Sequence, residues 1–287
     1  MPKVDIYKTV TNQIITAMEA KDGSWCKPYR GGISRNAVTG KDYHGMNILL
    51  LWASSGINEF TCNDWATYKQ WKTKDAQVKA NSKGTMITFY KPIQYEDKET
   101  GEARVFHYAK PAWVFNAAQV NGYNEHLNPD CRNSGALSID ALDTFIKNTK
   151  AIVKWGAEAC YRPIRDEINM PLMKDFYNTE GYYSTIFHEL GHWTGTKERC
   201  NRDLTGRFGN KAYAMEELIA ELCSAFTCAK TGVEKGEPRK DHAQYMASWI
   251  SVLKSNPKAI FTASKQATLA SEYLDNQQGL TLSKCMV

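Results

Sequence analysis

An α+β fold in two domains, residues 1–130 and 131–287, is what this sequence predicts. Three observations lead there. Helical and strand periodicities are mixed along the first part instead of alternating as βαβ units. An Asn-, Gly- and Pro-rich stretch, NGYNEHLNPDCRNSGA, runs from Asn121 to Ala136 and reads as a linker. The length of 287 residues leaves each part enough chain to bury its own core.

The elements follow in order. Ile6, Val10, Ile14 and Met18 recur near helical spacing. The chain is therefore expected to open with an amphipathic helix, not with the unbroken apolar run of a secretion signal. A turn-rich segment, Asp22 to Gly45, precedes MNILLLWAS, which reads as a buried helix ending near Gly56. TCNDWATYKQWKT, from Thr61, reads as a helix capped by Asn63 or Asp64. GTMITFYKPIQYE and EARVFHYAKPAWVF are strand candidates, and the turn DKETGE makes them a hairpin. Beyond the linker, Ser138 or Asp140 can cap a helix running to about Lys150. YRPIRDEINMP, from Tyr161, alternates like strand. Two helices are expected near residues 180–194 and 212–230, then a helical tail from His242 to about Asp275 broken at Pro257.

Composition excludes several classes. With 43% hydrophobic and 23% charged residues, the chain is not a disordered one. Its best apolar run, Met46 to Ala53, falls far short of the roughly 20 residues of a membrane span. The 8 cysteines include no CxxC pair, so a four-cysteine zinc site is not expected. Reduced thiols in a cytoplasmic protein are the expectation. The net charge of +5 is uneven: between Ala20 and Tyr95 there are 11 Lys/Arg against 5 Asp/Glu.

Chemistry concentrates in EGYYSTIFHELGHWTG. His188 and His192 are four apart, which on a helix stacks both imidazoles on one face, within reach of one ion. With 6 histidines in the whole chain, a chance HExxH is rare. Zinc held this way needs a third protein ligand and an open position. Glu189 is placed to act as general base, taking a proton from the attacking water and passing it to a leaving amine. YAMEELIAELCSAF offers the third ligand. Glu217 and Glu221 share a helix face, which suits one ligand and one carboxylate supporting a histidine through its other ring nitrogen. Glu217 is the ligand expected and Glu221 its support, with the reverse as the alternative; Glu216, about 100° round the helix, is expected to face solvent. Tyr182, Tyr183 and Tyr213 are candidates to stabilise an oxyanion. YRPIRDEINMP is a candidate edge for holding an extended peptide.

In the first part, aromatic residues interleave with cations. Trp25, Lys27, Tyr29, Arg35, Lys41, Tyr43 and Lys69 are candidate contacts to single-stranded nucleic acid, with rings for bases and cations for phosphates. The same rings would equally serve a core.

The order of motifs resembles the ArdC-type antirestriction proteins of conjugative plasmids and related mobile elements. The likeness rests on WCKPY from Trp25, RNAVTGK from Arg35, YHGMN from Tyr43, DWATYKQ from Asp64 and KGT from Lys83. It continues through YRPIRD from Tyr161, INMP from Ile168, YYSTIFHELGHWTG from Tyr182, NRD from Asn201 and YAMEELIAE from Tyr213. The resemblance implies a small mixed α/β domain binding single-stranded DNA and a zincin-like metallopeptidase domain. It further implies a protein substrate and help for incoming DNA in escaping restriction. The spacing of ELIAE is similar to that in zincins whose first acid is the ligand, which favours Glu217. Zn²⁺ is the implied ion, with Mn²⁺ or another divalent ion as a substitute in vitro. Tyr29 stands where the family usually has tryptophan, and tyrosine still stacks. The second reading is a DNA-coating protein that acts by occlusion and keeps its metal site for structure. A metal-dependent nuclease is disfavoured, because two-metal nuclease sites use carboxylate clusters.

Overall fold

The structure is a computed structural model and describes residues 5–19, 32–96, 103–123, 137–206, 210–233 and 242–279. Helix α1 (Ile6–Glu19) buries Val10, Ile14 and Met18, three of the four apolar positions predicted for it. Strand β1 (Arg35–Asn36) leads into α2 (Met46–Asn58), whose Leu49, Leu51 and Trp52 are almost wholly enclosed.

The next segment departs from expectation. Asp64–Thr67 is strand β2, and only Tyr68–Lys72 is helical, as α3. Thr67, not Asn63 or Asp64, caps α3, in a reciprocal pair with Gln70. Tertiary pairing explains the change: β2 lies between β1 and a later strand and buries Asp64, Trp65 and Ala66. Two-residue β3 (Gln77–Val78) follows.

The long hairpin is present, as β4 (Thr85–Glu96) antiparallel to β5 (Ala103–Asn116), in register from Thr85↔Val114 to Glu96↔Ala103. With β1 and β2 they form a sheet ordered β1-β2-β5-β4, while β6 (Val120–Asn121) pairs with β3. The Asn47 amide closes part of the free edge of β4, donating to the Thr88 carbonyl and accepting its N–H, each at 2.9 Å.

Most of the predicted linker lies outside the described residues. After it, Ser138 caps α4 (Ile139–Asn148). Strands β7 (Ile152–Trp155), β8 (Cys160–Arg162) and β9 (Glu167–Met170) make a second sheet ordered β7-β9-β8, with β8 antiparallel and β7 parallel to β9. Helices α5 (Thr179–Trp193) and α6 (Lys211–Thr231) match the predicted pair. Helices α7 (His242–Ser255) and α8 (Ala259–Asn276) flank the predicted break at Pro257.

Helix α6 is buried along nearly its whole length, and it packs on α5, α7 and α8. Gly191 of α5 permits its closest contact there. A Cβ at that position would lie 3.0 Å from the Ala220 Cα. The main core draws on both parts of the chain. Trp52 meets Phe226 edge-on at 5.7 Å, Tyr7 meets Phe261 at 4.9 Å, and Thr11 donates to the Pro257 carbonyl. Among the described residues no helix is long and apolar enough to cross a membrane.

Because Trp52 seals the contact between α2 and α6, truncating it should loosen both parts together. Trp52→Ala is expected to cost about 3–5 kcal/mol, read as a lowered urea midpoint with a single transition for near- and far-ultraviolet dichroism.

Candidate metal centre

Helix α5 starts at Asn178, whose side chain accepts the Gly181 N–H, and carries His188, Glu189 and His192 on its last turns. His188 and Glu189 are 2% and 4% exposed. The two Nε2 atoms face one another at 3.1 Å. Across from them Glu217 of α6 offers one carboxylate oxygen to each ring, 3.5 Å from the His188 Nε2 and 3.4 Å from the His192 Nε2. Donors held tetrahedrally at about 2.0–2.1 Å from one ion stand roughly 3.3 Å apart. The 3.1 Å between the two Nε2 atoms is close to that edge length, each Glu217 oxygen approaches a different ring, and one donor atom from each residue lies within 4.8 Å of the others, so the three residues fit a divalent metal ion and are the described cluster able to hold one.

Each ring turns its other nitrogen to a carboxylate. The His188 Nδ1 lies 3.4 Å from the Glu221 Oε2, and the His192 Nδ1 lies 3.2 Å from the Glu216 Oε1. Such partners fix ring orientation and raise ligand basicity. Glu216 is therefore not at the surface as expected; it is 8% exposed. The cause is Arg202, whose Nε and Nη2 donate to its two oxygens at 2.9 and 2.7 Å. The same guanidinium donates to the Gly191 carbonyl and the Thr194 hydroxyl, binding the loop after α5 to the end of that helix. Burial alone would raise the Glu216 carboxyl pKa; Arg202 and His192 outweigh it and hold it low. Glu217 is likewise held well below the ordinary carboxylate range, because the two histidines outweigh its burial.

Glu189 accepts the backbone N–H of Tyr161, on edge strand β8, at 2.8 Å. Both residues line an open cleft of about 410 Å³ with His188, His192, Glu217, Asp203 and Tyr213. Of the three tyrosines considered from sequence, Tyr213 lines the cleft. Tyr183 is buried and donates to Asp143, and Tyr182 packs on Phe176.

The candidate DNA contacts differ in setting. Trp25, Lys27 and Tyr29 lie outside the described residues. Lys41 and Lys69 are exposed. Arg35 is ion-paired at 2.6 Å with buried Asp64. The expectation for Tyr43 is corrected: its ring is 7% exposed and belongs to the main core, so it offers no face for stacking. Trp65 and Trp71 are also fully buried. Among the described residues of this part, Tyr68, Phe89 and Trp113 expose aromatic side chains, Trp113 to 53%. Tyr68 belongs to the aromatic and cation run visible in the sequence, whereas Phe89 and Trp113 reach the surface through their positions on β4 and β5, which that run does not report.

The comparisons fit this geometry. Residues 4–120 match the N-terminal domain of anti-restriction factor ArdC, and residues 140–266 match a zincin-like metallopeptidase. The uncharacterized protein y4eC of Sinorhizobium fredii (strain NBRC 101917 / NGR234) is 37% identical, over 96% of this chain and 92% of that protein. The metal-free crystal structure of the antirestriction protein ArdC from the R388 plasmid is 33% identical, with a TM-score of 0.81 over 96% of this chain and 98% of that one. This chain belongs to the ArdC-type antirestriction family. The Mn(II)-bound structure of the R388 ArdC aligns with a TM-score of 0.80. Two Escherichia coli DNA primases TraC are 31% and 32% identical over 95% of this ArdC-type chain, which spans 20% and 27% of their lengths.

Two outcomes are expected. Arg202→Ala, which frees Glu216 from its anchor, should weaken metal affinity about 10–100-fold in calorimetric titration. The second concerns pH. Burial alone would lower the His192 pKa, but Glu216 and Glu217 outweigh it and raise it to about 10 in the metal-free chain. Below that pH a ligand nitrogen carries a proton that metal must displace. Affinity should therefore rise with pH, about tenfold per unit between pH 7 and 9 for one displaced proton. Calorimetry in buffers of different ionisation enthalpy reads the proton released.

Proposed function

We propose that this ArdC-type chain binds single-stranded DNA through residues 1–130, carries a zinc-dependent peptidase site in residues 131–287, and protects incoming mobile-element DNA from restriction. The single observation that carries the peptidase reading is the convergence of the His188, His192 and Glu217 donors beside Glu189 in an open cleft. Two imidazoles and a carboxylate suit zinc, and the Mn(II)-bound structure of the R388 relative supports a divalent ion in this family.

His188, His192 and Glu217 are the ligands, while Glu221 and Glu216 hold the rings. When bound, the ion supplies Lewis acidity, polarising the scissile carbonyl and acidifying a water. Glu189 takes the proton from that water and delivers it to the departing amine. Tyr213, on the cleft wall, donates its hydroxyl to the developing oxyanion. Edge strand β8 runs past the cleft and holds an extended peptide segment of the protein substrate. On the DNA side, Trp25, Lys27, Tyr29, Lys41 and Lys69 remain contacts, joined by Tyr68, Phe89 and Trp113 as stacking faces.

A second reading keeps the DNA contacts and gives protection to coating alone. The exposed rings of Tyr68, Phe89 and Trp113 favour it, since they need no cleft.

Glu189→Ala separates the two. The variant should keep metal stoichiometry and oligonucleotide affinity but lose about 10²–10⁴-fold of its cleavage of casein supplied with single-stranded DNA. Undiminished cleavage removes Glu189 as the base. Full protection of transferred DNA by the same variant transfers the role to coating. Trp113→Ala should weaken binding of an oligothymidylate by about 1–3 kcal/mol, with wild-type affinity falling steeply as salt rises.

A further inference from the structure

The general base is tied to a short edge strand that packs on α5 and the main core. Strand β8 is 3 residues long, pairs on one side with β9, and sits at the sheet edge. The turn beyond it is open, with Ile164 fully exposed. Yet the Tyr161 N–H, on the free side of β8, is the hydrogen bond that reaches the Glu189 Oε2.

A cluster of side chains anchors the same strand a second time. The Tyr161 hydroxyl donates to the Asp166 Oδ1 at 2.8 Å. Arg199 grips both Asp166 oxygens, with Nη2 at 2.5 Å and Nη1 at 3.1 Å, and its Nη2 also lies 3.3 Å from the Tyr161 hydroxyl. Arg199 is itself fixed on helix α5. Its Nε donates to the Trp193 carbonyl at 2.5 Å, and its guanidinium lies 4.0 Å from the Trp193 ring centroid. Trp193 is the last residue of α5 and Glu189 lies one turn earlier. The contacts therefore form a closed circuit: Glu189, the Tyr161 amide, the Tyr161 phenol, Asp166, Arg199, Trp193, and back along one rigid helical turn. A planar fork on a carboxylate, backed by an aromatic face, resists both sliding and rotation.

We propose that Arg199, acting through Asp166 and Tyr161, is a positioning residue for the Glu189 carboxylate, locking β8 at the distance where its amide orients the base. The clamp touches neither the metal ligands nor Glu216, so its loss should spare the metal and misdirect the base. This assignment rests on the peptidase reading.

The test uses the full-length zinc-loaded chain and three variants, Arg199→Ala, Arg199→Lys and Asp166→Asn. Hydrogen exchange at the Tyr161 amide is followed by NMR, and casein cleavage is measured with single-stranded DNA present. Arg199→Ala and Asp166→Asn should speed exchange at Tyr161 about tenfold or more, leaving the β9 amides and zinc stoichiometry unchanged. Their kcat should fall about tenfold to a hundredfold with KM within about twofold. Arg199→Lys, which keeps the charge but not the fork, should fall between. Asp166→Asn carries the test if Arg199→Ala does not fold. Wild-type exchange at Tyr161 and wild-type kcat in both variants overturn the clamp while the peptidase reading stands. Lost zinc accounting for the whole fall in kcat also overturns it, since the circuit then only supports the fold. If the wild-type chain cleaves nothing, the peptidase reading fails and the positioning role with it, whatever the exchange at Tyr161.

Discussion

The site depends on how closely α6 can approach α5. Two histidines on one helix define a pair of donors, but a third from a neighbouring helix arrives only if the backbones nearly touch. Gly191, inside the HExxH motif, provides that clearance against Ala220. Glycine in a helix interior costs about 1 kcal/mol relative to alanine, and here the cost is offset by placing Glu217 within 3.5 Å of both rings. A Cβ there would press on Ala220 at 3.0 Å, and the helix that carries Glu217 would have to give by a few tenths of an ångström.

That closeness creates a second demand. It encloses four carboxyl groups, those of Glu189, Glu216, Glu217 and Glu221, in one region of low exposure. Buried charges persist only when they are paired and hydrogen-bonded. The structure distributes partners among them: rings for Glu217 and Glu221, a guanidinium fork for Glu216, a strand amide for Glu189. Two arginines from the stretch after α5, Arg199 and Arg202, turn back on opposite sides of that helix end. One neutralises an acid beside a ligand, and the other reaches the strand that touches the base.

What could be read from the sequence follows from the range of each interaction. The i, i+4 histidines and the i, i+4 pair Glu217 and Glu221 were legible because a helix fixes which residues share a face. The hairpin of β4 and β5 was legible because two alternating runs flank a turn. Glu216 was misread because its partner Arg202 comes from a separate loop, and no local period reports that contact. Strand β2 was misread as helix because its pairing partner, Asn116 opposite Trp65, is remote in the chain. Strand β7, with all four residues exposed, lacks the apolar alternation that would announce a half-buried strand. Tyr43 was misread for another reason. An aromatic ring beside a cation looks the same in sequence whether it faces a base or a neighbouring helix.

The contact of Trp52 with Phe226 has a consequence for inheritance. Helices α1 and α2 lie against α6, α7 and α8, so although the first part has a smaller apolar cluster around Trp71, its larger apolar face is completed by the second part. A genetic exchange that broke the gene at the linker would leave two raw hydrophobic faces, each fitted to the other's side chains. Recombination is therefore constrained to move the pair as one cassette, and a swapped half would have to bring matching residues at the seam.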